Sequence, residues 1–247
     1  NLVFANSDGI RSLGEIKNPP LVEFRNPSSP GSFPIEQSTI LKVDAADADG
    51  TLESVRFLIN NSTLVEDNSY PHEALWEPVA GTYLVKVVVT DNDGLSSETE
   101  EFQVRTFSRN DLNNYEAFKS AYFGEDSDNL EISNPGADPD GDSVSNLLEY
   151  FFSLDPVKPD TRVEPFFYLT EEAGNSFMVL QFTKLTAPED LNFLVQSTGN
   201  MTDWVEQLDL TTETTDHGDG TATVVVKVPV QKASSLFQFL RLKITNE

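Results

Sequence analysis

Tyr83-Leu84-Val85-Lys86-Val87-Val88-Val89 places Tyr83, Val85, Val87 and Val89 on one side of an extended chain. Side chains of a strand point alternately to its two faces, so a period of two marks a strand with one buried face. The same pattern recurs upstream. Leu41, Val43 and Ala45 share a face with Lys42 and Asp44 opposite, and Val55, Phe57 and Ile59 repeat it. Phe102 and Val104 close the series. Runs of this kind, broken at short spacing by Gly, Asp and Asn turns, predict an antiparallel β-sandwich over residues 19–107. Residues 1–18 join a short apolar stretch (Leu2, Val3, Phe4) to Gly, Ser and charge, and read as a leader or linker.

Beyond residue 107 the period changes. Leu112, Tyr115, Phe118 and Tyr122 form one helical stripe, with Ser108 or Asn110 as N-cap and Gly124 as the stop. After a polar stretch, residues 146–152 read as a second helix ended by Asp155-Pro156. Its Leu147, Tyr150 and Phe151 are expected to pack on the first stripe, giving a two-helix module over residues 108–160. Alternation returns near Pro165. Met178, Leu180 and Phe182 form one strand face, Phe193 and Val195 another, then Val224, Val226 and Val228, with a last strand at residues 237–244. His217-Gly218-Asp219-Gly220-Thr221 is a tight-turn sequence ahead of the valine strand. Residues 161–247 therefore read as a second β-sandwich, and the fold class is mainly β.

Composition narrows the chemistry. The chain has 247 residues and a net charge of −25, from 41 acids against 16 bases. Phosphate binding needs clustered Lys and Arg, so nucleic acid is not an expected partner, and anionic membrane surfaces are disfavoured for the same reason. No run approaches the roughly 18 apolar residues of a membrane span, so membrane insertion is not expected. There is no cysteine, hence no disulfide, thiolate nucleophile or zinc–sulfur site. His72 and His217 lie far apart in sequence and give little material for histidine-based catalysis or metal binding. No nucleophile elbow, phosphate loop or metalloprotease helix occurs. The chain reads as non-enzymatic. It opens without a basic stretch followed by an apolar one, so it is expected to begin after a signal peptide or inside a longer protein.

Acidity of this kind suits a divalent cation. Asp138-Pro139-Asp140-Gly141-Asp142-Ser143-Val144-Ser145-Asn146-Leu147-Leu148-Glu149 offers oxygen donors at the first, third, fifth, ninth and twelfth positions, and Val144 at the seventh offers its carbonyl. Calcium takes six to eight oxygens in a flexible shell, and this is the EF-hand spacing. The expected ligands are Asp138, Asp140, Asp142, Val144, Asn146 and Glu149. Without a cation such close carboxylates repel, so the metal also decides whether the loop closes. At the sixth position, where glycine is usual, stands Ser143.

Residues 138–149 resemble the single calcium loops of dockerin and thrombospondin type-3 repeats. The longer stretch from Ala137 through Tyr150 to Leu154-Asp155-Pro156 resembles a linker near the C-termini of large secreted bacterial proteins, where it precedes a β-rich terminal module. Ser197, Met201-Thr202-Asp203-Trp204, residues 218–221 and Phe239-Leu240-Arg241-Leu242 resemble that module's recurring pattern. The resemblance implies a structural tail with calcium. Residues 19–107 resemble bacterial Ig-like domains of the PKD and fibronectin type III kind, through Asp47-Ala48-Asp49-Gly50-Thr51, Val55-Arg56-Phe57, Trp76, Ala80-Gly81-Thr82-Tyr83 and Thr90-Asp91-Asn92-Asp93-Gly94.

The two Asp-x-Asp-Gly turns of that domain are expected at one end of the sandwich, bringing Asp47, Asp49, Asp91 and Asp93 together as a second calcium site, against the alternative of turn chemistry alone. Trp76 and Trp204 read as core residues, and Tyr83 as a corner tyrosine. The leading expectation is a calcium-stabilised spacer or assembly segment of a secreted or cell-surface bacterial protein, its partners being neighbouring domains or subunits. Two rivals stand beside it. One is a glycan-binding appendage of a polysaccharide-degrading enzyme, which needs exposed tryptophans. The other is a filament subunit in which residues 2–4 add a strand to a neighbour.

Overall fold

The computed structural model describes residues 3–6, 9–12, 17–27, 31–161, 164–208, 210–230 and 239–246. With 49% of residues in strands and 13% in helices the protein is mainly β. Packing divides it into two units, Asn1–Gly31 with Gln37–Arg105, and Ser32–Glu36 with Thr106–Glu247.

In the first unit β1 (Val3–Asn6) and β2 (Gly9–Ser12) form an antiparallel hairpin within the stretch read as a leader. Leu2 lies outside the described residues. The sandwich follows, from β3 (Leu21–Asn26), β5 (Thr39–Ala46) and β8 (His72–Trp76) in one sheet, ordered β3-β5-β8. The facing sheet runs β11-β9-β6-β7, built from β6 (Leu52–Ile59), β7 (Ser62–Glu66), β9 (Gly81–Asp91) and β11 (Phe102–Phe107), with β10 (Ser96–Glu98) beside β9. Val85, Val87 and Val89 are fully buried, as are Val55 and Phe57 on β6 and Leu41 on β5. Ala45, Ile59, Tyr83 and Phe102, expected on the same faces, are half-buried. The Tyr83 hydroxyl donates to the Val79 carbonyl at 3.0 Å, the back-bond of a corner tyrosine.

In the second unit β4 (Gly31–Pro34) leads to Ile35, whose amide donates to the Phe107 carbonyl. Helix α1 (Tyr115–Phe123) starts later than the sequence suggests, because Asn114 is its N-cap and accepts from the Ala117 amide. Ser108 caps a separate single turn, Arg109–Asp111. The polar stretch that follows contains the short α2 (Leu130–Ser133), and α3 (Asn146–Phe152) ends at Ser153 in the left-handed conformation.

The packing of α3 corrects one expectation. Tyr150 does pack on the α1 stripe, with Leu112, Tyr115 and Phe118. Phe151 turns the other way, and with Phe152 it enters the core of the C-terminal strands. Consecutive aromatics on a helix point about 100° apart, so a two-turn helix between two apolar surfaces serves both. The segments 108–160 and 161–247 are therefore one packed unit.

That core lies between two sheets. One is β12-β13-β17-β16, from β12 (Phe166–Glu172), β13 (Asn175–Leu185), β16 (Thr211–Asp216) and β17 (Thr221–Pro229). The other is β15-β14-β18, from β14 (Leu191–Thr198), β15 (Val205–Glu206) and β18 (Phe239–Asn246). Phe237 and Gln238, expected in the last strand, lie outside the described residues. Leu180, Phe182, Val224, Val226 and Val228 face Val195 and the α3 aromatics. The Phe182 ring touches Phe151, Phe152 and Phe193 at centroid distances of 5.6, 6.2 and 5.3 Å. Phe182→Ala should cost about 3–5 kcal/mol in denaturant unfolding of the second unit. A loss under about 1 kcal/mol would contradict this shared core.

Candidate metal site

The residues between α2 and α3 form a chain of carboxylate-capped turns. Asp138 accepts from the Gly141 amide (2.9 Å) and the Ser143 amide (3.0 Å). Asp140 accepts from the Asp142 amide at 3.2 Å, and Asp142 from the Val144 amide at 2.8 Å. Gly141 and Ser143 have φ of +78° and +75°. The turn thus places serine where the left-handed backbone favours glycine, and it keeps the EF-hand spacing.

These bonds leave several oxygens facing inward. Asp138, Asp140 and Asp142 bring one carboxylate oxygen each within 4.8 Å of one another. Asp142, Glu149 and Asp160 form a second such group, sharing Asp142 with the first. Glu149 is 0% exposed, and neither of its oxygens has a hydrogen-bond partner. Asp140 Oδ2 is buried and unpartnered as well. Burial, with the charges of Asp140, Asp142, Asp160 and Asp155 added, pushes the Glu149 carboxyl up to about 8. Burial likewise raises Asp140, and lifts Asp155 to about 6 with Asp160 contributing.

Asn146 is tethered through its nitrogen, and its oxygen is left over. Its Nδ2 donates to the carbonyls of Ile132 (2.7 Å) and Asn134 (2.9 Å), so its amide group is fixed against the end of α2. Its Oδ1 is buried without a partner. Val144 sits in the loop, its amide bonded to Asp142 and its side chain against the C-terminal core. Asp160 and Asp155 were missed by local spacing, since they follow α3 rather than lie in the loop. The donor set is all oxygen, which suits a hard cation such as calcium.

The second acidic group lies in the first unit. Asp47 continues the inward parity of Leu41 and Val43, and Asp91 that of Val85, Val87 and Val89. Asn92 donates its amide to the Thr51 carbonyl, tying the two turns together. A Cβ on Gly50 would meet Asn92 Oδ1 and Asp47 Oδ2, so a side chain there would push both carboxamide and carboxylate aside. Asp47 Oδ2, Asp49 Oδ1 and Asp91 Oδ2 are buried and unpartnered. The expectation of four converging carboxylates fails at Asp93, which pairs with Lys17 at 3.2 Å. Asp49 accepts from the Asn18 amide (3.1 Å), which holds its carboxyl below the usual range. Asp47, Asp49 and Asp91 do not all come within 4.8 Å of one another, unlike the groups around Asp142.

Trp76 is 4% exposed and meets Tyr83 edge-on at 5.1 Å. Trp204 is half-buried with the Arg241 guanidinium 4.2 Å from its ring centroid.

Residues 20–97 match the model of a family described as a bacterial Ig domain. No curated protein matches the chain in sequence. Among solved structures, fibronectin(III)-like modules of Clostridium thermocellum CbhA are 22% identical, with a TM-score of 0.35, over 42% of this chain and 58% of that one. A structure of carbohydrate-binding modules from the β-sandwich superfamily is 14% identical, with a TM-score of 0.31, over 93% of this chain and 97% of that one. The Bacteroides ovatus SGBP-B, in complex with a mixed-linkage heptasaccharide, is 12% identical, with a TM-score of 0.26, over 88% of this chain and 62% of that one. The chain thus spans 58% of the first of these and 62% of the last.

Glu149→Gln keeps the shape and removes the buried charge. In chelator it should raise the melting temperature by at least about 2 °C, since about 1 kcal/mol moves a domain of this size by 2–4 °C. In calcium the same variant should lose the metal-induced rise. A variant that melts like the parent in both buffers contradicts this assignment.

Proposed function

We propose that this chain is a calcium-stabilised structural segment of a secreted or cell-surface bacterial protein, acting as a spacer or assembly unit rather than a catalyst. One observation carries the metal reading. Glu149 has both carboxylate oxygens buried and unpartnered within reach of Asp142 and Asp160. An unpaired buried carboxylate costs several kcal/mol, and a divalent cation converts that cost into binding energy. Asp138, Asp140, Asp142, Asn146 through its unpartnered Oδ1, and Glu149, with the Val144 carbonyl, are the proposed ligands. The family match over residues 20–97 supports the bacterial Ig-like part of the reading. No helix among the described residues is long and apolar enough to cross a membrane.

The glycan-binding alternative needs aromatic rings free to stack on sugars. The burial of Trp76 and the Arg241 guanidinium over Trp204 favour the structural reading. Calcium at a hundredfold excess over its Kd adds about 2.7 kcal/mol, so the second unit should melt several degrees higher in calcium than in chelator. Magnesium, which is smaller and sheds its water reluctantly, should do much less. Identical melting curves in calcium and chelator overturn the proposal.

We also propose that Asp47, Asp49 and Asp91 hold a second ion, on the strength of their three unpartnered buried oxygens. Equilibrium dialysis should then find two calcium ions per chain, one in Asp91→Asn and one in Glu149→Gln. A single ion in the parent chain, lost in Glu149→Gln, removes the second site.

A further inference from the structure

The sequence motif ends at Glu149, but the side chains that close around Glu149 do not all come from the motif. Asp160 lies eleven residues further along, past the end of α3 and the Asp155-Pro156 turn. Its carboxylate is within 4.8 Å of those of both Asp142 and Glu149. Two backbone bonds hold it there. The Asp160 amide donates to Asp142 Oδ2 at 2.9 Å, and the Asp155 amide reaches Asp160 Oδ2 at 3.4 Å. Asp142 is therefore bonded on one oxygen to Val144 inside the loop, and on the other to Asp160 outside it.

The ninth loop position is meanwhile tethered through its nitrogen. Asn146 spends both donors of its amide on the carbonyls of Ile132 and Asn134. An Asn anchored this way keeps its buried, unpartnered Oδ1 for a cation, and a shell of six to eight oxygens still has room for a donor from beyond the loop. The fully buried Glu149, with neither oxygen partnered, is the independent sign that a cation belongs among these carboxylates.

We infer that Asp160 is a ligand of the same calcium ion, supplied from outside the twelve-residue loop. The ion thereby staples the loop to the segment entering the C-terminal sandwich. This rests on the calcium reading above and extends it. An ordinary loop ion orders one turn and one helix. An ion shared with Asp160 also closes the chain around α3, whose Phe151 and Phe152 lie in the C-terminal core. Calcium would then hold the strand-bearing part of the unit in register with the helices.

The test uses the full chain. Calcium titration calorimetry is run on the parent, Asp160→Asn, Glu149→Gln and Glu125→Gln, which makes the same charge change at an exposed position. Asp160→Asn preserves the backbone bond to Asp142 and should weaken calcium binding at this site at least tenfold, because site affinity follows the ligand charge count. Glu125→Gln should leave it unchanged. Hydrogen exchange of amides 153–161 should slow in calcium in the parent, and much less in Asp160→Asn. Should Asp160→Asn bind like the parent while Glu149→Gln does not, the staple is refuted and the loop site stands. If the parent takes up no calcium, both readings fall.

Discussion

A carboxylate taken out of water needs a counter-charge, a set of donors or a proton, and the C-terminal unit is organised around one that has been given no donor. Glu149 is wholly buried, with Asp140, Asp142, Asp155 and Asp160 all raising its pKa. In a neutral environment this arrangement stores repulsion. Under the proposal of a hard divalent ion at its centre, the same arrangement would become a ligand shell. The cost of the apo state and the strength of the bound state therefore have one origin.

Glu149 sits on a helix of two turns, and the rest of that helix is spoken for. Tyr150 lies against α1, and its hydroxyl donates to Asp190 Oδ1 at 2.9 Å, while Asp190 Oδ2 accepts from the Tyr115 amide at 2.8 Å. Phe151 and Phe152 enter the sandwich core. So short a helix has little stability of its own and is held by tertiary packing. Moving Glu149 moves both cores. Through that coupling the proposed cation would act well beyond its loop.

The first unit uses the same chemistry more loosely. Asp47 and Asp91 extend the inward stripes of two facing sheets by one more position, where an apolar side chain would otherwise complete the end of the core. Each spends one oxygen on turn amides and leaves the other bare: Asp47 accepts from Asp49, and Asp91 from Asp93 and Leu95. Turn chemistry accounts for the bonded oxygens and leaves the bare ones unexplained.

The strands β5, β6, β9, β11, β13, β14, β17 and β18, the two principal helices and the acidic loop were readable from residue order. Strand alternation, helical periodicity and EF-hand spacing are all local patterns, written within a dozen residues. Asn146 is a ligand candidate by spacing, but spacing does not show that carbonyls twelve and fourteen residues upstream hold its nitrogen and leave its oxygen without a partner. Phe151 looked like a partner for α1, yet strands that come later in the chain supply a larger apolar surface. Asp160 carried no local signal, and Asp93 matched the pattern but turned to Lys17. Local order decides which faces are apolar and which turns are acidic. Which oxygens end up without a donor depends on how distant segments pack, and only the tertiary structure decides that.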